Sequence, residues 1–181
     1  MKPLIGLLFL LGLSVASFAD DVSIEVSPAY SKPFRSPGFS GTKADGIGAR
    51  ISVETGLSSY LALGLNYEAL KIDEQADSAN FGFGTAFLRF TPADWDGARP
   101  YFRLDMGALV RGSSNDPAQN RNDGLVTQGG IGALFVSKDQ PWILDAGVDV
   151  INVAGGAGLN LLQGHFGVLV RFGSPTAAPG N

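Results

Sequence analysis

Apolar and polar residues alternate with a period of two along most of this chain, and its last such run is the clearest guide to the rest. Phe166, Val168, Val170 and Phe172 are apolar, while Gln163, His165, Gly167 and Arg171 occupy the opposite face. The pattern predicts a strand over Gly164 to Phe172 with one oily side. Seven similar stretches precede it. In strand one, Val22, Ile24 and Val26 alternate with Ser23, Glu25 and Ser27. In strand two, Gly46 to Glu54, the residues Ile47, Ala49, Ile51 and Val53 oppose Gly48, Arg50, Ser52 and Glu54. Leu61, Leu63, Leu65 and Tyr67 form the apolar side of strand three, Ser59 to Leu70, and strand four covers Phe81 to Phe90. Strand five, Pro100 to Arg111, sets Phe102, Leu104, Met106, Ala108 and Val110 against Tyr101, Arg103, Asp105, Gly107 and Arg111. Strand six is Leu125 to Val136, and strand seven places Trp142, Leu144, Ala146, Val148 and Val150 opposite Asp145, Gly147 and Asp149.

The connections complete the picture. They are a Pro-, Gly- and Ser-rich loop from Ser31 to Asp45, a tight turn at Thr55 to Ser58, and a polar, acidic segment from Ile72 to Asn80. Then come a compact turn around Pro92 to Ala98, a long polar loop from Ser113 to Gly124, a turn at Ser137 to Gln140 and a Gly-rich connection at Ala154 to Gly158. Long and short links alternate until the last, which is of medium length, so one rim is decorated and the other, which holds both termini, is plain. Each strand has about the nine to eleven residues that a tilted strand needs to cross a bilayer. In lipid only the pairing of strand one with strand eight removes the two open edges. The expected fold is therefore all-β, a closed eight-stranded antiparallel up-and-down transmembrane β-barrel.

Composition narrows the setting. The 181 residues, 45% hydrophobic and 17% charged with a formal charge of −4, suit one domain and lack the basic stripe of a nucleic-acid partner. The absence of Cys excludes a disulfide framework, a thiolate metal site and a lipidated N-terminal cysteine. Lys2, the apolar run Leu4 to Val15 and Ser17-Phe18-Ala19 read as a signal peptide cleaved after Ala19. That run is too short for a ~30 Å hydrocarbon layer, so it is not a spanning helix. The expected division is 1–19 signal peptide, 20–172 barrel and 173–181 short disordered periplasmic tail.

Alternation does not say which face meets lipid. The polar face holds Glu25, Arg50, Glu54, Glu68, Arg103, Asp105, Asp145, Asp149, His165 and Arg171, mixed with Gly48, Gly64, Gly107, Gly130, Gly132, Gly147 and Gly167. Glycine weakens a strand exposed to water, whereas a narrow lumen admits long charged side chains only beside small neighbours. These ten residues are expected to form a lumen charge network, with hydrocarbon outside. The same glycine rule turns Gly82, Gly84 and Ala86 of strand four inward and Arg89 toward lipid, close enough to the short turn to reach headgroups. Tyr30, Tyr60, Tyr67, Trp95, Tyr101, Trp142 and Phe172, near strand ends, are expected in interfacial girdles.

The signal peptide, the even strand rhythm, Arg99-Pro100-Tyr101 at the start of strand five and the terminal run Gly164 to Phe172 resemble the small outer-membrane barrels like the transmembrane domain of outer membrane protein A. The resemblance covers essentially the whole mature chain. It implies residence in the outer membrane, in contact with its lipids and lipopolysaccharide, and recognition of the assembly signal Phe166, Val168, Val170 and Phe172 by the barrel assembly machinery. Gly173 to Asn181 resembles the start of the linker that leads to a peptidoglycan-binding domain in that family.

Candidate chemistry is sparse. His165, the only histidine, is placed near Asp145, Asp149, Ser23, Glu25 and Ser27, where a lumen histidine bonded to a carboxylate is the expected reading. The chain also lacks the His-x-Ser arrangement of lipid A deacylases, so no catalytic residue is assigned. Asn120, Asn122, Asp123 and Gly124 miss the acidic spacing and terminal Glu of a calcium loop, and Ala154 to Gly158 lacks the Lys-Ser/Thr of a phosphate loop. No cofactor or metal is expected. The function expected is a non-enzymatic role in envelope integrity or surface interaction through the long loops. The alternatives are a narrow small-solute pore, or a barrel enzyme that modifies lipid A.

Overall fold

The computed structural model describes residues 21–34, 44–74, 77–93, 95, 97–114, 124–137, 140–155 and 158–173. The expected signal peptide lies outside the described residues, as does the expected periplasmic tail apart from Gly173, which ends the last strand. Residues 35–43 and 115–123 of the two long loops also lie outside them, and with them most of the calcium-loop-like segment. The strands are β1 (Asp21–Pro33), β2 (Asp45–Gly56), β3 (Leu61–Glu74), β4 (Asp77–Phe90), β5 (Ala98–Ser114), β6 (Gly124–Val136), β7 (Trp142–Gly155) and β8 (Leu159–Gly173). Each pairs antiparallel with the next and β1 pairs with β8, so the eight strands form a closed barrel. No described helix is long and apolar enough to cross a membrane. The closing seam runs from Asp21↔Gly173 to Pro33↔Leu161 and is interrupted between Val26 and Ala29, where Pro28 has no N–H to donate.

The strands follow the expected order but several of them run further toward the rim away from the termini. The acidic segment expected from Ile72 to Asn80 is instead the tip of a hairpin: Ile72 faces Ala79 across the ladder, Glu74 faces Asp77, and only residues 75 and 76 lie between the strands. The reason is burial. Ile72 is 0% and Ala79 1% exposed, because both continue the inward-facing parity of their strands. β1 likewise reaches Pro33, and β8 starts at Leu159 rather than Gly164, with Leu159 and Leu161 wholly buried. The rim away from the termini, here the loop rim, thus carries two long connections instead of three.

Sidedness is clear. Leu104 is 70%, Val148 48% and Val168 41% exposed, whereas Arg103 and Asp145 are 2% and 1% exposed. Strand β4 departs from its expected orientation. Phe81, Phe83, Thr85, Phe87 and Arg89 all point into the lumen, and Gly84, Ala86, Leu88 and Phe90 point out. The outward Gly84 answers to a neighbour: the β4–β5 register shifts between Gly82 and Phe83, leaving Val110 as an extra residue whose Cγ2 lies 3.2 Å from the Cβ position of Gly84. Arg89 therefore avoids lipid altogether.

The lumen is filled in layers. At the loop rim, Leu70, Ile72, Phe81, Phe83, Leu109, Ile151, Val153, Leu159 and Leu161 belong to one buried apolar cluster. At the termini rim a smaller one joins Tyr101, Leu134, Ile143 and Leu169. Charged and amide side chains fill the zone between them.

Candidate functional site

The polar zone concentrates the buried charged and amide side chains, and the strand register assembles it. Arg50 on β2 lies beside Glu68 on β3, its direct cross-strand partner, with Nε 3.9 Å from Glu68 Oε2. Its Nη2 crosses the lumen to donate to Asp149 Oδ2 of β7 at 2.7 Å. Gln163 of β8 donates to Glu68 and, at 2.8 Å, to Ser31 Oγ of β1. One arginine and one glutamine therefore tie five strands together.

A second group surrounds Arg103 on β5. Its Nε and Nη2 donate to Asp105 Oδ1 and Oδ2 at 2.9 and 2.8 Å, a bidentate pair made along one strand because residues two apart share a face. The guanidinium carbon sits 3.8 Å from the centroid of the Phe87 ring, which gives the cation a π-face in place of water. Thr85 donates to Asp105 at 3.2 Å, and Asn66 donates to Thr85 at 3.3 Å. Nearer the termini rim, Arg89 pairs with Glu54 and lies 5.6 Å from the Tyr101 ring centroid. Glu25 accepts from Ser52 Oγ at 3.2 Å.

His165 occupies the centre of the β7–β8 side. Its Nδ1 is 3.0 Å from Asp149 Oδ2, its Nε2 is 3.6 Å from Asp145 Oδ2, and the Tyr101 hydroxyl lies 3.0 Å from Nε2. This is a tyrosine–histidine–carboxylate chain whose His165 side chain is 0% exposed and whose Tyr101 is 2% exposed. No serine contacts the imidazole among these partners. Hydrogen bonds and ion pairs of this kind hold groups in place; they offer no nucleophile to the outside.

No protein-family model matches the chain, and no curated protein matches it. Solved structures do. Neisserial surface protein A is similar over 83% of this chain and 97% of its own, with 16% identity and a TM-score of 0.69. The attachment invasion locus protein Ail of Yersinia pestis matches 85% of this chain and 99% of its own at 15% identity and a TM-score of 0.58. The N-terminal β-barrel domain of Pseudomonas aeruginosa OprF matches 85% and 98% at 17% identity and a TM-score of 0.57. The fold is that of the small OmpA-like outer-membrane β-barrels. With its outer face of hydrocarbon and inner face of paired charge, the chain is built as a protein of the bacterial outer membrane.

Of the ten residues expected in the lumen network, the barrel buries Glu25, Arg50, Glu54, Glu68, Arg103, Asp105, Asp145, Asp149 and His165, none more than 6% exposed. Arg171 is exposed, since β8 reaches the termini rim there, and takes no part in that zone. Phe166, Val168 and Phe172 stand 53%, 41% and 54% exposed on the outer face, with Val170 partly covered. Tyr101, expected in an interfacial girdle, is instead inside and bonded to His165. Sequence reasoning also missed Arg89 and the three inward phenylalanines of β4. The signal was present: Thr85 and Arg89 share the parity of Phe81, Phe83 and Phe87, and polar residues on the lipid face are the costlier choice.

Two glycines show how tightly the zone is built. A Cβ at Gly147 would lie 2.6 Å from His165 Cε1 and 2.7 Å from the Tyr101 hydroxyl, and one at Gly130 would collide with the Asp149 carboxylate. Gly147→Ala is expected to destabilise the barrel by about 1–3 kcal/mol through overpacking, and a second change, His165→Ala, to recover part of that loss. Urea unfolding midpoints in detergent micelles measure both.

Proposed function

We propose that this protein is a closed, non-enzymatic outer-membrane barrel that serves envelope integrity or surface interaction through its loop rim. The observation that carries the reading is the apolar cluster of Leu70, Ile72, Phe81, Phe83 and their neighbours, which closes the lumen just below that rim. Beneath it lie salt-bridged side chains with almost no exposure, which supports a plugged lumen over an open pore. What remains free to meet a partner is the rim, where a rigid barrel holds the two long connections, 35–43 and 115–123. The Ail barrel has been solved in complex with the heparin analogue sucrose octasulfate, a polyanion. Segment 35–43 carries the cations Arg35 and Lys43 and no carboxylate, which supports a polyanionic partner class, whereas in 115–123 Arg121 is offset by Asp116 and Asp123. In the same reading, residues 1–19 direct export, Phe166, Val168, Val170 and Phe172 present the terminal strand to the assembly machinery, and lipopolysaccharide surrounds the rim.

Cells displaying the protein are expected to retain heparin above the level of cells in which 35–43 and 115–123 are replaced by short Gly-Ser turns, while both forms keep heat-modifiable migration on gels. In planar bilayers the purified barrel is expected to be silent. A steady conductance that disappears on neutralising Arg103 would replace this reading with the narrow-pore alternative, and equal heparin retention by the two forms removes the polyanion.

A further inference from the structure

The lipid-facing wall is not uniform: a groove of about 1120 Å³ crosses it. Its floor follows one row of cross-strand neighbours, Ala29 to His165, His165 to Gly147, Gly147 to Gly132 and Gly132 to Tyr101. The His165 and Tyr101 side chains lie inside the barrel, so only backbone and small residues form that floor. Ala133, Ala146 and Gly164 keep it shallow on the outside, and Phe166, Val148 and Ile131 stand as its walls.

Gly164 is informative. A Cβ there would meet no atom within 4 Å, in contrast to Gly147, so nothing inside the protein requires glycine at this position. Glycine nonetheless weakens a strand. The missing side chain leaves space only on the outer face, where acyl chains are the solvent.

The groove has the length and direction of one such chain. The outward row Ile47, Tyr30, Gly164, Val148, Ile131 and Phe102 steps across five strand intervals. At ~4.8 Å each these span about 24 Å, and with strands tilted about 45° the path descends about 17 Å, close to one leaflet of a ~30 Å core. Its upper end, at Ile47, is two residues from the loop-rim start of β2. A polar cluster stands there. Tyr30 donates to Asp45 Oδ1 at 2.6 Å, Lys32 Nζ is 3.2 Å from the same oxygen, and Lys71, the cross-strand partner of Ile47, is 2.8 Å from Asp73. Ion pairs this exposed are weak and exchange partners readily, so both ammonium groups can turn to a phosphate.

We propose that this groove seats one acyl chain of a phosphate-bearing lipid from the leaflet at the loop rim, with Lys32 and Lys71 holding its phosphate. The inference rests on the membrane-barrel reading above. It is tested by titrating the folded, detergent-solubilised barrel with dipalmitoyl phosphatidic acid or with dipalmitoylglycerol, which lacks only the phosphate, and counting bound lipid by native mass spectrometry. Phosphatidic acid is expected to saturate at one molecule per barrel. Gly164→Phe and, independently, Ala133→Phe are expected to weaken that step by about tenfold or more, and Lys32→Ala with Lys71→Ala to bring phosphatidic acid down to the level of dipalmitoylglycerol. Uptake without a plateau, or equal binding by both groove-filled variants, overturns the seat; an unaltered preference for phosphate in the double lysine variant overturns the headgroup assignment. A chain with no heat-modifiable form defeats the barrel reading itself, which a folded barrel that fails to saturate does not.

Discussion

Arg103→Leu is expected to destabilise the folded barrel by about 3–5 kcal/mol, the cost of leaving a buried carboxylate without its partner. Asp105 would lose both bonds of a bidentate pair, and Thr85 alone would remain to donate to it. The Phe87 ring would also lose the guanidinium that lies 3.8 Å from its centroid. The double variant Arg103→Leu with Asp105→Leu removes both charges together, and it is expected to regain most of the loss or to exceed the wild type, since burying an ion pair also carries a desolvation cost. Urea midpoints in lipid vesicles, with the heat-modifiable band as the readout of the folded form, measure the series. If the double variant falls as far as the single one, the pair itself is stabilising beyond its mutual neutralisation, and the argument from stranded charge is wrong.

The contrast between these charges and their surroundings explains what the sequence could and could not disclose. The architecture was legible because lipid permits few answers: alternation with a period of two, strand lengths near ten residues and a charged face rich in glycine leave a closed barrel with charge inside. The parity of Arg50, Arg103, Asp145 and Asp149 followed directly from that. Strand β4 reads the wrong way round when its glycines are weighed above the parity of Thr85 and Arg89, whereas Gly84 answers to a bulge at Val110 in the neighbouring strand. Ile72 and Ala79 were hidden for a different reason. Their polar neighbours Asp73 and Asn80 made the segment look like a loop, although in a lumen capped by hydrocarbon the inward parity is the apolar one. Alternation assigns residues to faces, but whether a face is wet changes along the strand, and near the loop rim it does so at Leu70.

That change of character supports the second large effect. Phe83 belongs to the apolar cluster at the loop rim and is 1% exposed, while Phe90, on the same strand, faces outward and is 47% exposed. Truncating either to alanine loses the transfer free energy of the removed ring on unfolding into water, about 1.5–3 kcal/mol. Only the inner site adds a cavity. Acyl chains are fluid and as apolar as a leucine side chain, so they occupy the space left by Phe90, whereas Leu109, Val126 and the other members of the cluster are fixed to strands and cannot close over Phe83. Phe83→Ala is therefore expected to cost about 3–5 kcal/mol, roughly 2 kcal/mol more than Phe90→Ala, by the same unfolding measurement. Equal losses at the two positions would mean that Phe83 also meets lipid, and the apolar cap that closes the lumen would have to be withdrawn with it.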